Sequence, residues 1–212
     1  MSNDVIQGDK LNYLLVEGPD DAQVLFHLLR QYGLHSQITI QSREGIDTLL
    51  ERLEVDLMRS AETRLGIIVD ADIDSATRWQ SLRDRLTRAG YTTAPFDPDP
   101  AGTIVTQAGR PLVGLWLMPD NAIPGMLEDF MSLLIPAKDV LWPMAQAFVQ
   151  QVIATERRFP ATQQMKANVH TWLAWQEEPG KPMGLAVTKH YFLPDAPHAQ
   201  QLIEWVRRLF DI

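Results

Sequence analysis

The chain has 212 residues, with 19 Lys and Arg against 27 Asp and Glu and a formal charge of -8; this argues against a protein that holds nucleic acid mainly by neutralising phosphates over a broad basic surface. No stretch reaches the roughly 18–20 apolar residues that cross a bilayer, there is no cysteine, and the start Met1-Ser2-Asn3-Asp4 has neither a basic nor an apolar leader region, so the expectation is a soluble cytoplasmic protein without a membrane partner. Length sets the expectation of a single domain over 1–212, with a core over about 10–120 and a helical C-terminal extension over about 121–212.

Residues 13–16 are a short apolar run ending at Glu17-Gly18-Pro19, followed by Asp20, Asp21 and the helical spacing Val24, Leu25, Leu28, Leu29 up to Gly33. This reads as strand, turn and helix, with Asp20 or Asp21 as the cap and Gly33 suited to the left-handed residue beyond the helix end. A second strand over 38–40 leads through Gly45 to a helix over about 46–58, with Ile46, Leu49, Leu50, Leu53 and Leu57 on its apolar face. The unit repeats: the β-rich run 65–69 ends at Asp70-Ala71-Asp72 and feeds a helix over about 75–89, capped by Asp74 and stopped by Gly90. Runs apolar on both faces, alternating with helices, predict an α/β fold with a mainly parallel sheet covered on each side.

Beyond that point Pro95, Pro98, Pro100 and Gly102 mark a surface loop. Residues 103–118 form a hairpin turning near Gly109-Arg110, whose second arm, 112–118, joins the sheet. After Pro119 helices are expected over about 126–135, 138–154, 161–176 and 197–210, with Trp172, Leu173 and Trp175 in the core.

Chemistry concentrates where the apolar runs end. Side chains two apart on a strand face the same way, so Asp70 and Asp72 would both reach one cation. Ligands of open α/β sheets lie outside the carboxyl ends of the strands, where Glu17 also falls. Magnesium or manganese suits such a site, because a hard cation takes carboxylate and water oxygens and is completed by substrate phosphates. Five scattered histidines and no cysteine argue against zinc. An Asp-x-Asp also serves as a turn or helix cap, as the nucleotide-sugar metal motif of a glycosyltransferase, or as the nucleophile motif of a haloacid-dehalogenase phosphatase. Glu17 has no job in either enzyme, and the phosphatase motif runs into Gly-Thr where this chain has Ile73-Asp74.

The segments Leu14-Leu15-Val16-Glu17-Gly18-Pro19-Asp20-Asp21 and Ile67-Ile68-Val69-Asp70-Ala71-Asp72 together resemble the Toprim domain. That family, shared by type IA and type II topoisomerases, bacterial primases, recombination proteins and OLD-type nucleases, has a glutamate after its first strand and Asp-x-Asp after its third. The resemblance covers about the first half of the chain; the second half looks most like uncharacterised Toprim-related proteins neighbouring the OLD-type nucleases. It implies a Rossmann-like Toprim fold, Glu17 as general acid or base and metal ligand, and Asp70 and Asp72 on magnesium. In the same company Asp21 and Glu128, with Asp20 and Asp129 beside them, would supply a second metal site, and Lys166 would stabilise developing phosphate charge. Acids in a helix's first turn are also explained by its dipole, and the basic residues Arg78, Arg83, Arg85 and Arg88 either steer a phosphate backbone or form a solvated face. The activity implied is Mg2+-dependent phosphoryl transfer on nucleic acid, a nuclease first of all. The second reading is a non-catalytic Toprim module binding a partner protein or nucleic acid.

Overall fold

A strand that is apolar on both faces has to be covered on both, and β4 (Arg64–Asp70) is buried from Leu65 to Val69. Leu65, Ile67 and Val69 enter one core while Ile68 enters the other. The computed structural model describes residues 5–6 and 11–212. Its six-stranded sheet has the order β1-β3-β2-β4-β6-β5, with β1 at Val5–Ile6, β2 at Asn12–Val16, β3 at Thr39–Ser42, β5 at Thr103–Val105 and β6 at Leu112–Met118. The four inner strands are parallel, and β1 and β5 pair antiparallel at the two edges. The register lines up Leu15, Ile67 and Leu115 across β2, β4 and β6.

The helices α1 (Pro19–Gln31), α2 (Ile46–Asp56) and α3 (Ser75–Arg88) follow the expected strand–helix repeat. Gly33 and Gly90 both sit at positive φ just past a helix end, where a left-handed residue ends the turn. Asp74 caps α3, its carboxylate accepting from the Thr77 N–H at 3.0 Å. At α1 the cap position itself belongs to Gly18, with Pro19 opening the helix. Asp21 reaches back from the third helical residue to accept from the Gly18 N–H at 3.1 Å.

After the sheet come α4 (Leu127–Ser132), α5 (Leu141–Gln151), α6 (Gln164–Ala174), α7 (Met183–Thr188) and α8 (Pro197–Phe210). The stretch after 120 is therefore helical, as expected, but it packs on the sheet. Residues of α1, α4, α6, α7 and α8 bury one face of the sheet together, around Leu14, Val16, Ile68 and Trp116; α2 and α3 bury the other. The sequence pattern does not foresee α7, whose six residues are too short to show a period. Trp172 and Leu173 are buried as expected, whereas Trp175 is half-exposed and meets the edge of Phe148. No helix among the described residues is long and apolar enough to cross a membrane.

One pair of glycines explains how α8 gets so close. Gly66 and Gly114 are partners across β4 and β6. A Cβ on Gly114 would lie 2.5 Å from a Leu209 methyl carbon and 2.9 Å from the Trp205 ring, and one on Gly66 would lie 2.6 Å from Leu14. The missing side chains make a trough in the sheet into which Trp205 and Leu209 settle. Gly114→Val fills that trough and is expected to lower stability by about 1–3 kcal/mol. Urea titration would read this as a lower midpoint at unchanged slope; no change in midpoint would mean that α8 rides higher on the sheet.

Candidate functional site

Every candidate acid lies at the carboxyl end of the parallel strands. Glu17 follows β2, Asp70 is the last residue of β4, Asp21 lies in the first turn of α1 and Glu128 in the first turn of α4. Glu17, Asp20, Asp21, Asp70, Glu128 and Lys166 all line one cavity of about 330 Å3, together with Gly45, Met126 and Gln163. The tertiary structure thus gathers residues from five separate stretches of chain.

Glu17 is held by a backbone contact: the Asp70 N–H donates to its Oε1 at 2.7 Å, tying the ends of the two neighbouring parallel strands together. Asp70 turns its own carboxylate inward, and its Oδ1 is buried without a hydrogen-bond partner. Asp21 and Glu128 are buried as well. Lys166, from α6, forms an ion pair with Glu128 at 3.1 Å and is half-exposed at the rim. Burial pulls the Lys166 ammonium down, but the hydrogen bond and charge of Glu128 outweigh it and hold the group above its usual value.

Three of these acids, Glu17, Asp21 and Asp70, are pushed toward holding their protons. Burial first, opposed by the Asp70 N–H and helped by the charge of Asp21, pushes Glu17 up to about 7. Burial raises Asp21 to about 6 despite its backbone hydrogen bonds. Asp70 goes furthest, to about 9, through burial and then the charges of Asp21, Glu17, Glu128 and Asp72. An unpartnered buried carboxylate oxygen among like charges is a setting in which a hard divalent cation can replace protons. Among the described residues no three His, Cys, Asp or Glu side chains are already drawn together at ligand spacing. Glu17 is turned toward a backbone N–H and Asp72 toward an arginine.

Asp72 departs from the strand-alternation argument. The strand ends at Asp70, and Asp72 lies beyond it with φ of 54°, bridged to Gly125 through reciprocal backbone hydrogen bonds of 2.9 and 2.7 Å. Its carboxylate is half-exposed and forms an ion pair with Arg78. The turn places it in a neighbouring hollow with Ile73, Gly125, Asp129 and Gln163, beside the cavity that holds Asp70. Asp129 is occupied as a helix cap, accepting from the Met126 N–H at 2.8 Å.

Arg78 is the residue whose role the sequence does not show. Its Nε donates to the Asp70 carbonyl at 3.0 Å while another guanidinium nitrogen pairs with Asp72, so one side chain braces the whole Asp-Ala-Asp turn. The only sequence signal is its place in the first turns of the capped helix, which face back toward the preceding turn. The other arginines of α3 are spent elsewhere: Arg85 on the Leu50 carbonyl and Ser81, Arg88 on Glu54. Arg83 stacks over the exposed Phe96. The basic face of α3 is therefore largely structural. Gln163 and Gly45 line the cavity with no signal in the sequence.

A family model described as Protein of unknown function (DUF3226) matches residues 11–211. No curated protein and no solved structure matches the chain.

Proposed function

The chain belongs to the DUF3226 family, whose description carries no activity, and from the site itself we propose a Mg2+-dependent phosphoryl-transfer enzyme of Toprim-like type acting on nucleic acid, a nuclease. The observation that carries this reading is the cavity in which Asp70, with its unpartnered Oδ1, faces Glu17, Asp21 and Glu128 at the carboxyl ends of adjacent parallel strands. The glutamate after one strand and the Asp-x-Asp after its neighbour support the Toprim resemblance. In this reading Asp70, Asp21 and Glu128 hold the metal, with Asp72 at the edge, braced by Arg78. Bound magnesium supplies polarisation of a phosphate and neutralises charge on a departing oxygen. Glu17, near 7, is poised to take a proton from an attacking water and return it to the leaving group at neutral pH. Lys166, charged at the rim, offers its ammonium to a phosphate oxygen.

A second reading, a Toprim-like module that binds a partner protein or nucleic acid without turnover, is favoured by the ion pair that occupies Asp72. One experiment separates the two. Labelled single- and double-stranded DNA and RNA are incubated with the protein in Mg2+, in Mn2+ and in chelator. Metal-dependent cleavage that Glu17→Gln lowers by about 100-fold or more supports the enzyme. Stable binding of a substrate with no cleavage under either metal sinks it in favour of the module.

A further inference from the structure

A hollow of about 390 Å3 lies between the start of α3 and the loop that follows that helix, lined by Ser75, Trp79, Phe96, Asp97 and Asn121 among others. None of the groups proposed for cleavage lines it. Its volume falls in the range of about 300–1,000 Å3 that takes small organic groups. Phe96 is 76 % exposed, yet it is held in place. Its carbonyl accepts from the Trp79 indole N–H at 2.9 Å, and the Arg83 guanidinium stands 5.0 Å from the centre of its ring. One face of the ring is thereby covered by a cation, and the rest stays open to a flat partner. The hollow is a close neighbour of the acid cavity. Ser75 follows Asp70 by five residues, which puts the two at most about 18 Å apart even on an extended chain. The bridge between Asp72 and Gly125 ties the segment leading to Ser75 to the one leading from Asn121. Ile73 and Ile123, next to that bridge in the chain, are both exposed and give the passage an apolar rim.

We propose that this hollow takes an unpaired base of a nucleic-acid strand whose phosphate enters the acid cavity, so that the substrate is single-stranded; this rests on the reading of that cavity as a nuclease site. Stacking accounts for an aromatic ring kept in water, because every base has a flat π-face while the bases of a duplex have theirs covered by their neighbours. The polar lining suits the edge of a base and not a phosphate. Asp97 offers the acceptor that an exocyclic amino group seeks, whereas its charge repels an anion, which leaves the phosphates outside the hollow, toward Lys166. An apolar protein side chain in the same place would strip water from Asp97 without supplying a donor, and this selects the base over a protein partner. The charge of the chain points the same way. With a net charge of -8, and with Arg78, Arg85 and Arg88 already engaged by carboxylates and carbonyls, little is left to grip the phosphates of a duplex. Stacking is an attraction that does not depend on them.

Fluorescence anisotropy tests this with labelled DNA and RNA strands of about 12 nucleotides, their duplexes, and strands of the same length with abasic sugars throughout. Binding is measured in Mg2+ on the full chain carrying Glu17→Gln, so that cleavage does not consume the strand. The intact strand is expected to bind more tightly than the duplex or the abasic strand. Adding Phe96→Ala should weaken the intact strand by about 5- to 150-fold and leave the abasic strand as it was, with unchanged circular dichroism because the ring projects into water. Phe96→Trp should restore binding, and the slope of affinity against salt should not change, since no phosphate contact is lost. Equal strand binding with and without Phe96 overturns the proposal, as does a duplex or abasic strand held as tightly as the intact one, or no binding of any strand. A mononucleotide that competes as well as the strand makes the hollow a site for free nucleotides and overturns the strand. Binding that depends on Phe96, in a wild-type chain that cuts nothing, upholds the base site and sinks the cleavage reading alone.

Discussion

Asp70→Asn is expected to lower metal-dependent cleavage by at least about 100-fold, since loss of even an outer partner of a metal ligand costs 10–100-fold, and at the same time to make the metal-free protein more stable at pH 8. The second half of that result follows from the direction of its titration. Asp70 is raised from 3.8 to about 9 by burial and by the charges of Asp21, Glu17, Glu128 and Asp72. Between those values the unfolded chain has released the proton while the folded chain keeps it, so stability is greatest below about pH 4 and falls as pH rises toward 9. Glu17, raised from 4.5 to about 7, and Asp21, raised from 3.8 to about 6, act with the same sign over narrower windows. Asparagine keeps the shape and the backbone contact to Glu17 but removes the charge. A gain on the order of 2 kcal/mol at pH 8 corresponds to roughly 4–8 °C in Tm for a chain of this length. The wild type should show Tm falling from pH 5 to 9, and the variant a shallower fall. Mg2+ should raise Tm at pH 8 in the wild type, by binding the folded state in place of protons, and not in the variant. A Tm lowered by the substitution, with the pH slope unchanged, would mean that Asp70 is structural and that another acid holds the proton.

Trp205→Ala is expected to cost about 3–5 kcal/mol, a fall in Tm on the order of 10 °C, which is the largest effect foreseen outside the site. Trp205 is fully buried on α8. Its ring lies 5.6 Å from Trp116 of β6, over the trough left by Gly114, and its indole N–H donates to the Thr103 carbonyl of β5 at 3.4 Å. Removing it leaves a cavity between α8 and two strands that backbone glycines cannot fill. Trp175→Ala, at a half-exposed position, should cost far less. A loss below about 1 kcal/mol at Trp205 would show that α8 covers the sheet without holding it.

The two substitutions mark what the order of residues could and could not show. The repeating strand–helix units were legible because both periods are carried by local neighbours: β6 begins and ends where the apolar run does, at Leu112 and Met118, and α8 spans the expected 197–210. Asp74 as a cap and Gly33 and Gly90 as stops were legible for the same reason, since each acts within one turn of chain. The placing of Glu17 and Asp70 at strand ends was also legible, because in a parallel sheet the strands run the same way and their ends share one edge.

What lay beyond the sequence was everything decided by long-range packing. No local pattern says that Asp21 and Glu128, from helices about a hundred residues apart, bury their carboxylates beside Asp70, or that Lys166 of α6 neutralises Glu128. Strand alternation misplaced Asp72, because the backbone turns to positive φ after Asp70 and Arg78 then takes the carboxylate. The second half of the chain read as an extension because helical periodicity gives a face but not its partner. Gly66 and Gly114 look like ordinary strand interruptions until register sets them side by side and α8 lands on them. Sequence determined the elements and which of their ends carry acids; only the tertiary structure decided which acids share a cavity, because desolvation and charge repulsion exist only between groups that the fold has already brought together.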